Sequence, residues 1–355
     1  MNFNLNDILP GLFAPPMLFF VLGMITVLVK SDLKIPPEIV KGASIILLIS
    51  IGLEGGLEAV KAMKAQPDFL SLILVLSAFA ILVSSLTALL SAKFLERIVG
   101  FKTADAWATA GLYGAVSSAT LMAAIGLVNE FKEAAPNELI YGGWMPALNV
   151  FLDAPGVIAA IFFGRLAIEK SKGTGANVTL DKKELFRDAV FGWAIWLMIC
   201  GVVVGILAQI FSPKRLESTM ALFDGMFIGV LCIFLLEMGM VAARRLGELK
   251  ELGSRIPLAV LAAFGMPQIW AFASIGGTYV IHLMFPGLLG WGDAFVFAAM
   301  AGSCSYISGP PAIRAALPEA NPSAYLGMSL ALTFPFNIIV SLPLWMTACR
   351  LLWGA

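Results

Sequence analysis

Gly302-Ser-Cys-Ser-Tyr-Ile-Ser-Gly-Pro-Pro311 and Gly111-Leu-Tyr-Gly-Ala-Val-Ser-Ser-Ala-Thr120 each lie in the middle of an apolar segment long enough to cross a bilayer. Both are rich in glycine and hydroxyl groups, where a plain membrane helix would be Leu and Val. Glycine weakens a helix, and Pro310-Pro311 cannot continue one. A broken helix inside a membrane leaves free backbone groups, tolerated only where protein or a polar cavity meets them. The reading is that the two breaks face each other and build a small-ion site. The alternative is small-residue packing between straight helices; it suits the first stretch better than the second, where Gly-Pro-Pro must interrupt.

Around these stretches the composition decides the class. Hydrophobic residues make up 59% of the chain and charged ones 13%, about half the charged share of a soluble domain. Several apolar runs reach the roughly 20 residues that a spanning helix needs, and the alternation of β-barrel strands is absent. This predicts an all-α polytopic membrane protein. Ten apolar segments are expected, at Pro15–Val29, Ile39–Leu57, Phe69–Phe94, Ala104–Val128, Tyr141–Ile168, Ala189–Phe211, Thr219–Ala243, Pro257–Phe285, Ala294–Ala316 and Ala324–Leu352. Segments 4 and 9 contain the breaks. Segment 1 lacks the flank and cleavage pattern of a removed signal peptide.

Of the 23 Lys and Arg, about 17 fall in the turns after segments 1, 3, 5, 7 and 9. Positive-inside then puts those turns in the cytoplasm and both termini outside. Pro36-Pro37 and Asn321-Pro322 sit where helices restart. The polar stretch 169–188 reads as a cytoplasmic linker between a first five-helix repeat, 1–168, and a second, 189–355. Three matches recur in the same order: Ala110-Gly111 and Ser117 with Ala301-Gly302 and Ser308; Leu53-Glu-Gly-Gly56 with Leu236-Glu-Met-Gly239; and Phe151-Leu-Asp153 with Pro335-Phe-Asn337. An odd number of helices per half makes the repeat inverted, with its site where the broken helices meet.

A half-helix N-terminus suits a small anion, and the opposite half-helix ends offer carbonyls to Na⁺. Restarts are expected near Ser118–Thr120 and near Pro311, with Ser117 and Ser308 as caps or ligands. Glu54, Asp153 and Glu237 are intramembrane acids, for which function is the default. Asp153 reads as a cation ligand or its support. Glu54 and Glu237 are placed near cytoplasmic helix ends, as site residues, caps or snorkelling groups. Arg314 reads as an exit or anchoring cation, and His282 as an interface residue. Trp107, Trp144, Trp291 and Trp353 read as interface anchors, and the four cysteines as buried thiols. Zero net charge leaves no footprint for nucleic acid. No hydrolase, metalloprotease, Walker or heme motif is present, so neither an enzyme nor a transition-metal site nor a cofactor is expected.

Gly111–Thr120, Ile307-Ser-Gly-Pro-Pro311 with Arg314, Ala320-Asn-Pro-Ser-Ala-Tyr325, Phe151-Leu-Asp-Ala-Pro155 and Met238-Gly-Met240 resemble the sodium-dependent bicarbonate transporter family first recognised in cyanobacteria, over nearly the whole chain. The resemblance implies ten transmembrane helices as two inverted five-helix repeats, a homotrimer in a bacterial plasma membrane, and Na⁺-coupled bicarbonate uptake. It also implies a PII-like regulatory protein on the cytoplasmic side. Carried onto the breaks, it assigns the anion to Gly114, Ala115, Ser117, Ser118, Thr120, Ser308 and Gly309. Na⁺, the coupling ion, goes to Ser303, Ser305 and Asp153; Tyr306 and Arg314 read as gating or support, as do Glu54 and Glu237, which stand where the cyanobacterial members lack acids. The chain departs from the cyanobacterial pattern at Tyr306, where those members have Asp, and at Cys304 and Ala119, where they have serine. The linker is also shorter. A proton- or sodium-coupled organic-anion transporter, a passive anion channel and a membrane sensor are the alternative readings.

Overall fold

The computed structural model describes residues 15–65, 68–134, 140–171, 193–246, 253–306 and 309–354. Among them every regular element is helical. In chain order these are α1 (Pro15–Leu28), α2 (Pro37–Ala65), α3 (Phe69–Phe94), α4 (Thr103–Tyr113), α5 (Ser118–Ala134), α6 (Asn149–Ser171), α7 (Trp193–Phe211), α8 (Pro213–Arg245), α9 (Ile256–Met284), α10 (Trp291–Ala301) and α11 (Gly309–Ala316). A last helical span, α12, runs Pro322–Trp353. Seven segments of the described chain are long and apolar enough to cross a membrane; Pro15–Leu28, Trp196–Phe211 and Trp291–Ala301 are shorter apolar helices. The protein is a multi-pass helical membrane protein.

Proline starts several of these helices. Its missing N–H is one that a helix start leaves unpaired anyway. So α2 opens on Pro37 and α12 on Pro322, where the Asn321 side chain caps the Ser323 N–H. Two expected boundaries move. Segment 5 does not begin as a helix at Tyr141, because residues 140–144 form a turn before a short 3₁₀ stretch, Met145–Leu148. The expected linker from Glu169 begins as helix, since α6 runs to Ser171; residues 172–192 lie outside the described chain.

Two helix crossings hold the outer layer together through close backbone contact. A Cβ on Gly23 of α1 would overlap the Leu236 carbonyl of α8, and one on Gly239 would overlap the Phe20 carbonyl of α1. Between α2 and α7, a Cβ on Gly205 would overlap the Leu53 carbonyl, and one on Gly56 the Val202 carbonyl. Small residues let backbones approach where lipid offers no hydrophobic drive for helices to associate. Leu53 and Gly56 are the sequence partners of Leu236 and Gly239, so the two crossings use matching positions. Val203, Val204, Leu207 and Ile210 of α7 remain exposed, on a face suited to lipid.

The tryptophan reading needs correction. Trp107, Trp144 and Trp291 are buried in protein, not anchored in an interface. Trp107 stacks on Phe163, Trp144 meets Phe69 edge-on, and Trp291 meets Phe131 and lies under Arg350. Trp107 and Trp291 belong to the broken segments 4 and 9, and Trp144 to the turn before α6; all three pack inside the bundle, so protein takes the place of headgroups. Trp353 is half-buried against Tyr279 and His282. The four cysteines are free thiols, and Cys232, Cys304 and Cys349 are buried.

Candidate functional site

Segments 4 and 9 are both broken. In segment 4, α4 ends at Tyr113, Gly114 closes it, and α5 restarts at Ser118. In segment 9, α10 ends at Ala301, Gly302 closes it, and α11 restarts at Gly309, with both prolines in its first turn. The restart is two residues earlier than expected, because proline is accepted at the start of a helix. α4 and α10 are each 11 residues long. Matched by their ends, Gly114 answers to Gly302 and Asp105 to Asp293. The Gly111–Gly302 match was therefore out of register, since Gly111 lies inside α4.

The breaks touch. The Ser117 N–H donates to Ser303 Oγ at 2.8 Å, and Ser303 donates onward to the Met300 carbonyl at 2.7 Å. The Ser305 N–H donates to the Leu112 carbonyl at 2.8 Å, and the Gly309 N–H donates to Ser305 Oγ at 3.1 Å. Thus hydroxyls of the second break serve backbone groups of both. Tyr306, next in the chain, carries the second break to α8: its hydroxyl donates to Met238 Sδ at 3.2 Å. Ser117, Thr120, Ser303 and Ser305 are each 1% exposed, whereas Ser118 and Tyr306 are partly exposed.

Each break is also held from outside. Around the first, Ser84 of α3 donates to the Gly114 carbonyl at 2.9 Å, and the Val116 N–H donates to Asp153 Oδ1 at 2.7 Å. Pro155 and Gly156 follow Asp153; a Cβ on Gly156 would overlap the Gly114 carbonyl, so this glycine lets α6 close on the break. Around the second, Asn337 of α12 donates to the Gly302 carbonyl at 3.0 Å. Asn337 opens a π-helical turn, Asn337–Ser341, which follows another at Gly327–Thr333. Pro335 and Pro343 have no N–H to give the preceding turn, so wide turns there have a local cause.

Two polar atoms at the crossing are unmet. Thr120 Oγ1, in the first turn of α5, and Asn337 Oδ1 are both buried, with no hydrogen-bond partner among the described residues. A buried polar atom without a partner costs about 1–3 kcal/mol. Both suit a bound ion.

The other expected residues divide. Gly114, Ala115, Ser117, Ser118, Thr120, Ser303, Ser305, Tyr306 and Gly309 lie in or beside the breaks. Asp153 meets the first break through the Val116 N–H. Ser308 lies outside the described residues. Arg314 is exposed on α11. Glu54 and Glu237 are not at the crossing, and they do not share an end of the bundle. Glu237 stands by the α1–α2 turn and pairs with Arg244 at 3.2 Å. Glu54 stands by Gly143, ahead of α6. It is seventeen residues along α2 from Pro37, roughly 25 Å at 1.5 Å per residue, so the two acids cannot both stand near cytoplasmic ends.

Sequence reading missed Ser84, Asn337 as a site residue, and the paired Asp105 and Asp293. The Asn321 N–H donates to Asp105 Oδ1 at 2.7 Å. The Gly142 and Gly290 N–H groups donate to Asp293 at 3.0 Å each. Each aspartate thus ties a broken segment to the turn before segment 10 or segment 5. The available signal was Asp-Ala-aromatic, nine residues before the closing glycine in both halves.

Over residues 15–350 the chain matches the model of the Na⁺-dependent bicarbonate transporter superfamily. The chain belongs to that superfamily. Membership makes it a membrane transporter rather than an enzyme, and the superfamily's description names bicarbonate and Na⁺ as the species concerned. Among curated proteins none matches the chain.

Proposed function

We propose that this member of the superfamily is a sodium-coupled symporter that imports bicarbonate into a bacterial cell by alternating access. The observation that carries the proposal is the contact of Ser117 with Ser303, which brings two helix breaks together beside an unmet buried Thr120 hydroxyl. The anion sits at the start of α5, on Thr120 Oγ1 and the first-turn N–H groups of Ser118 and Ala119, where the helix end carries partial positive charge; the Ser117 and Thr120 N–H groups are already taken, by Ser303 Oγ and Ser117 Oγ. Gly114, Ala115 and Ser117 shape that side, and Gly309 with Ser308 supplies the other. The Na⁺ sits among hydroxyl and carbonyl oxygens of the breaks, with Ser303, Ser305 and Asn337 Oδ1 in reach of the second break and Asp153 supporting the first. One Na⁺ with one bicarbonate is electrically neutral, so no strong fixed charge is required.

Ten helices in two inverted five-helix repeats are the architecture that this function uses. Support comes from the matching glycine crossings of α1 with α8 and α7 with α2, from the equal lengths of α4 and α10, and from the two aspartates that each hold a turn of the other half. The excess of Lys and Arg in the turns after the odd-numbered segments supports a topology with both termini outside. Alternating access then requires one group of helices to move against the rest.

The test is uptake of labelled bicarbonate into proteoliposomes under an inward Na⁺ gradient, with K⁺ replacing Na⁺ as the control. Uptake should depend on the Na⁺ gradient. Equal uptake in K⁺ would make the protein a passive anion pathway, and uptake driven only by a pH gradient would make it proton-coupled.

A further inference from the structure

We propose that a second anion site lies away from the crossing, in the cavity between the α1–α2 turn and the end of α8. Its ligand class is a small carboxylate-type oxyanion, bicarbonate included. The sidedness of this site rests on the proposed function, which puts the turn in the cytoplasm.

The cavity measures about 600 Å³, and Thr26, Ser31, Lys34, Glu237 and Arg244 supply its polar lining. Two of these are cations and one is an acid. Asp32 and Glu38 flank the turn but do not line the cavity. Arg244 gives one nitrogen to Glu237 Oε1 at 3.2 Å and another only to Met240 Sδ at 3.8 Å. A guanidinium has five donors, and this side chain is 47% exposed, so most of its capacity faces outward. Lys34 makes no ion pair among the described residues. The lining is therefore short of one negative charge, and a forked guanidinium beside an ammonium is suited to an oxyanion.

Glu237 makes the site adjustable. The residue is 8% exposed, and its Oε2 has no hydrogen-bond partner among the described residues. It is thus a weakly satisfied rival for Arg244. An anion in the cavity shares Arg244 with Glu237 and loosens that pair. The next residue on α8, Met238, receives the Tyr306 hydroxyl from the second break. The cavity is in this way one residue removed from the crossing. Bicarbonate accumulating on the arrival side would occupy it and slow further import.

The test compares initial labelled-bicarbonate uptake in vesicles loaded with unlabelled bicarbonate or with chloride, at one internal pH, for the wild type, Lys34→Gln and Glu237→Gln. Internal bicarbonate should slow the wild type. Lys34→Gln should need about tenfold more of it, the factor expected for one charge-assisted hydrogen bond, and Glu237→Gln should need less, because the rival for Arg244 has lost its charge. Opposite signs are not what a merely structural role produces. Three proteins inhibited alike, or a wild type indifferent to internal bicarbonate, would overturn the site. Absence of wild-type uptake would instead count against the proposed function. Thermal stabilisation of the purified protein by bicarbonate then decides the site: weaker in Lys34→Gln and stronger in Glu237→Gln supports it, and equal shifts overturn it.

Discussion

Ser117 donates its backbone N–H to the Ser303 hydroxyl across 2.8 Å, although 186 residues separate the two in sequence. Ser303 in turn donates to the Met300 carbonyl, so one hydroxyl closes the end of α10 and holds the first break in place. Ser303→Ala removes both bonds and leaves the Ser117 N–H buried and unmet, at about 1–3 kcal/mol. We expect bicarbonate uptake to fall at least roughly tenfold. Ser91→Ala is the control: Ser91 Oγ is buried without a partner among the described residues, and uptake should stay near wild type. Equal loss in both variants would remove the crossing from the mechanism.

Asp293 accepts from Gly290 at the start of α10 and from Gly142 in the turn before segment 5, and it is fully buried. Carboxylate bonds of this kind contribute roughly 1.5–3 kcal/mol each. Asp293→Ala should therefore lower the thermal midpoint of the purified protein clearly. Asp293→Asn keeps an acceptor and should lose less. Thermal unfolding in detergent checks the order; an alanine variant as stable as wild type would show that the tie is not structural.

The breaks were legible because proline and glycine carry their backbone consequences with them: Pro310-Pro311 forbids a continuous helix whatever surrounds it. The anchors were not. Ser84 and Asn337 bond to carbonyls that are free only because a distant helix is broken, and nothing local in α3 or α12 announces that. Asp293 stood just outside its apolar segment, where an acid looks like an ordinary solvated helix start. Glu54 and Glu237 were grouped at one end because each lies late in its apolar run, but only Glu237 stands by the basic α1–α2 turn, while Glu54 lies well along α2, which runs Pro37–Ala65. Gly111 resembles Gly302 in sequence but lies inside α4, and by helix ends it is Gly114 that lines up with Gly302.

Gly239 tests the close crossing of α1 and α8. A methyl group there would overlap the Phe20 carbonyl, a backbone atom that cannot swing aside. Gly239→Ala should cost about 1–3 kcal/mol or more through overpacking. Gly229, on the same helix, has nothing within 4 Å of its would-be Cβ. Gly229→Ala should be neutral or stabilise by roughly 0.5–1 kcal/mol, because it removes only the helix cost of glycine. Thermal midpoints of the two variants should move in opposite directions, and a shared direction would count against the close backbone contact.

Asp153 separates support from charge. Its carboxylate accepts from the Val116 N–H at 2.7 Å, so an alanine would both free that N–H and remove the negative charge. Asn at the same position keeps a carbonyl oxygen for Val116 and removes only the charge. If the charge helps to hold Na⁺ near the breaks, Asp153→Asn should fold at wild-type yield and need roughly tenfold more Na⁺ for half-maximal uptake, about the factor for one charge-assisted contact. Asp153→Ala should add a loss of thermal stability of about 1–3 kcal/mol. A sodium titration of uptake on both variants distinguishes the two contributions. An unchanged Na⁺ requirement in Asp153→Asn would reduce Asp153 to a bracket for the first break, and leave the cation to the serine hydroxyls and Asn337 alone.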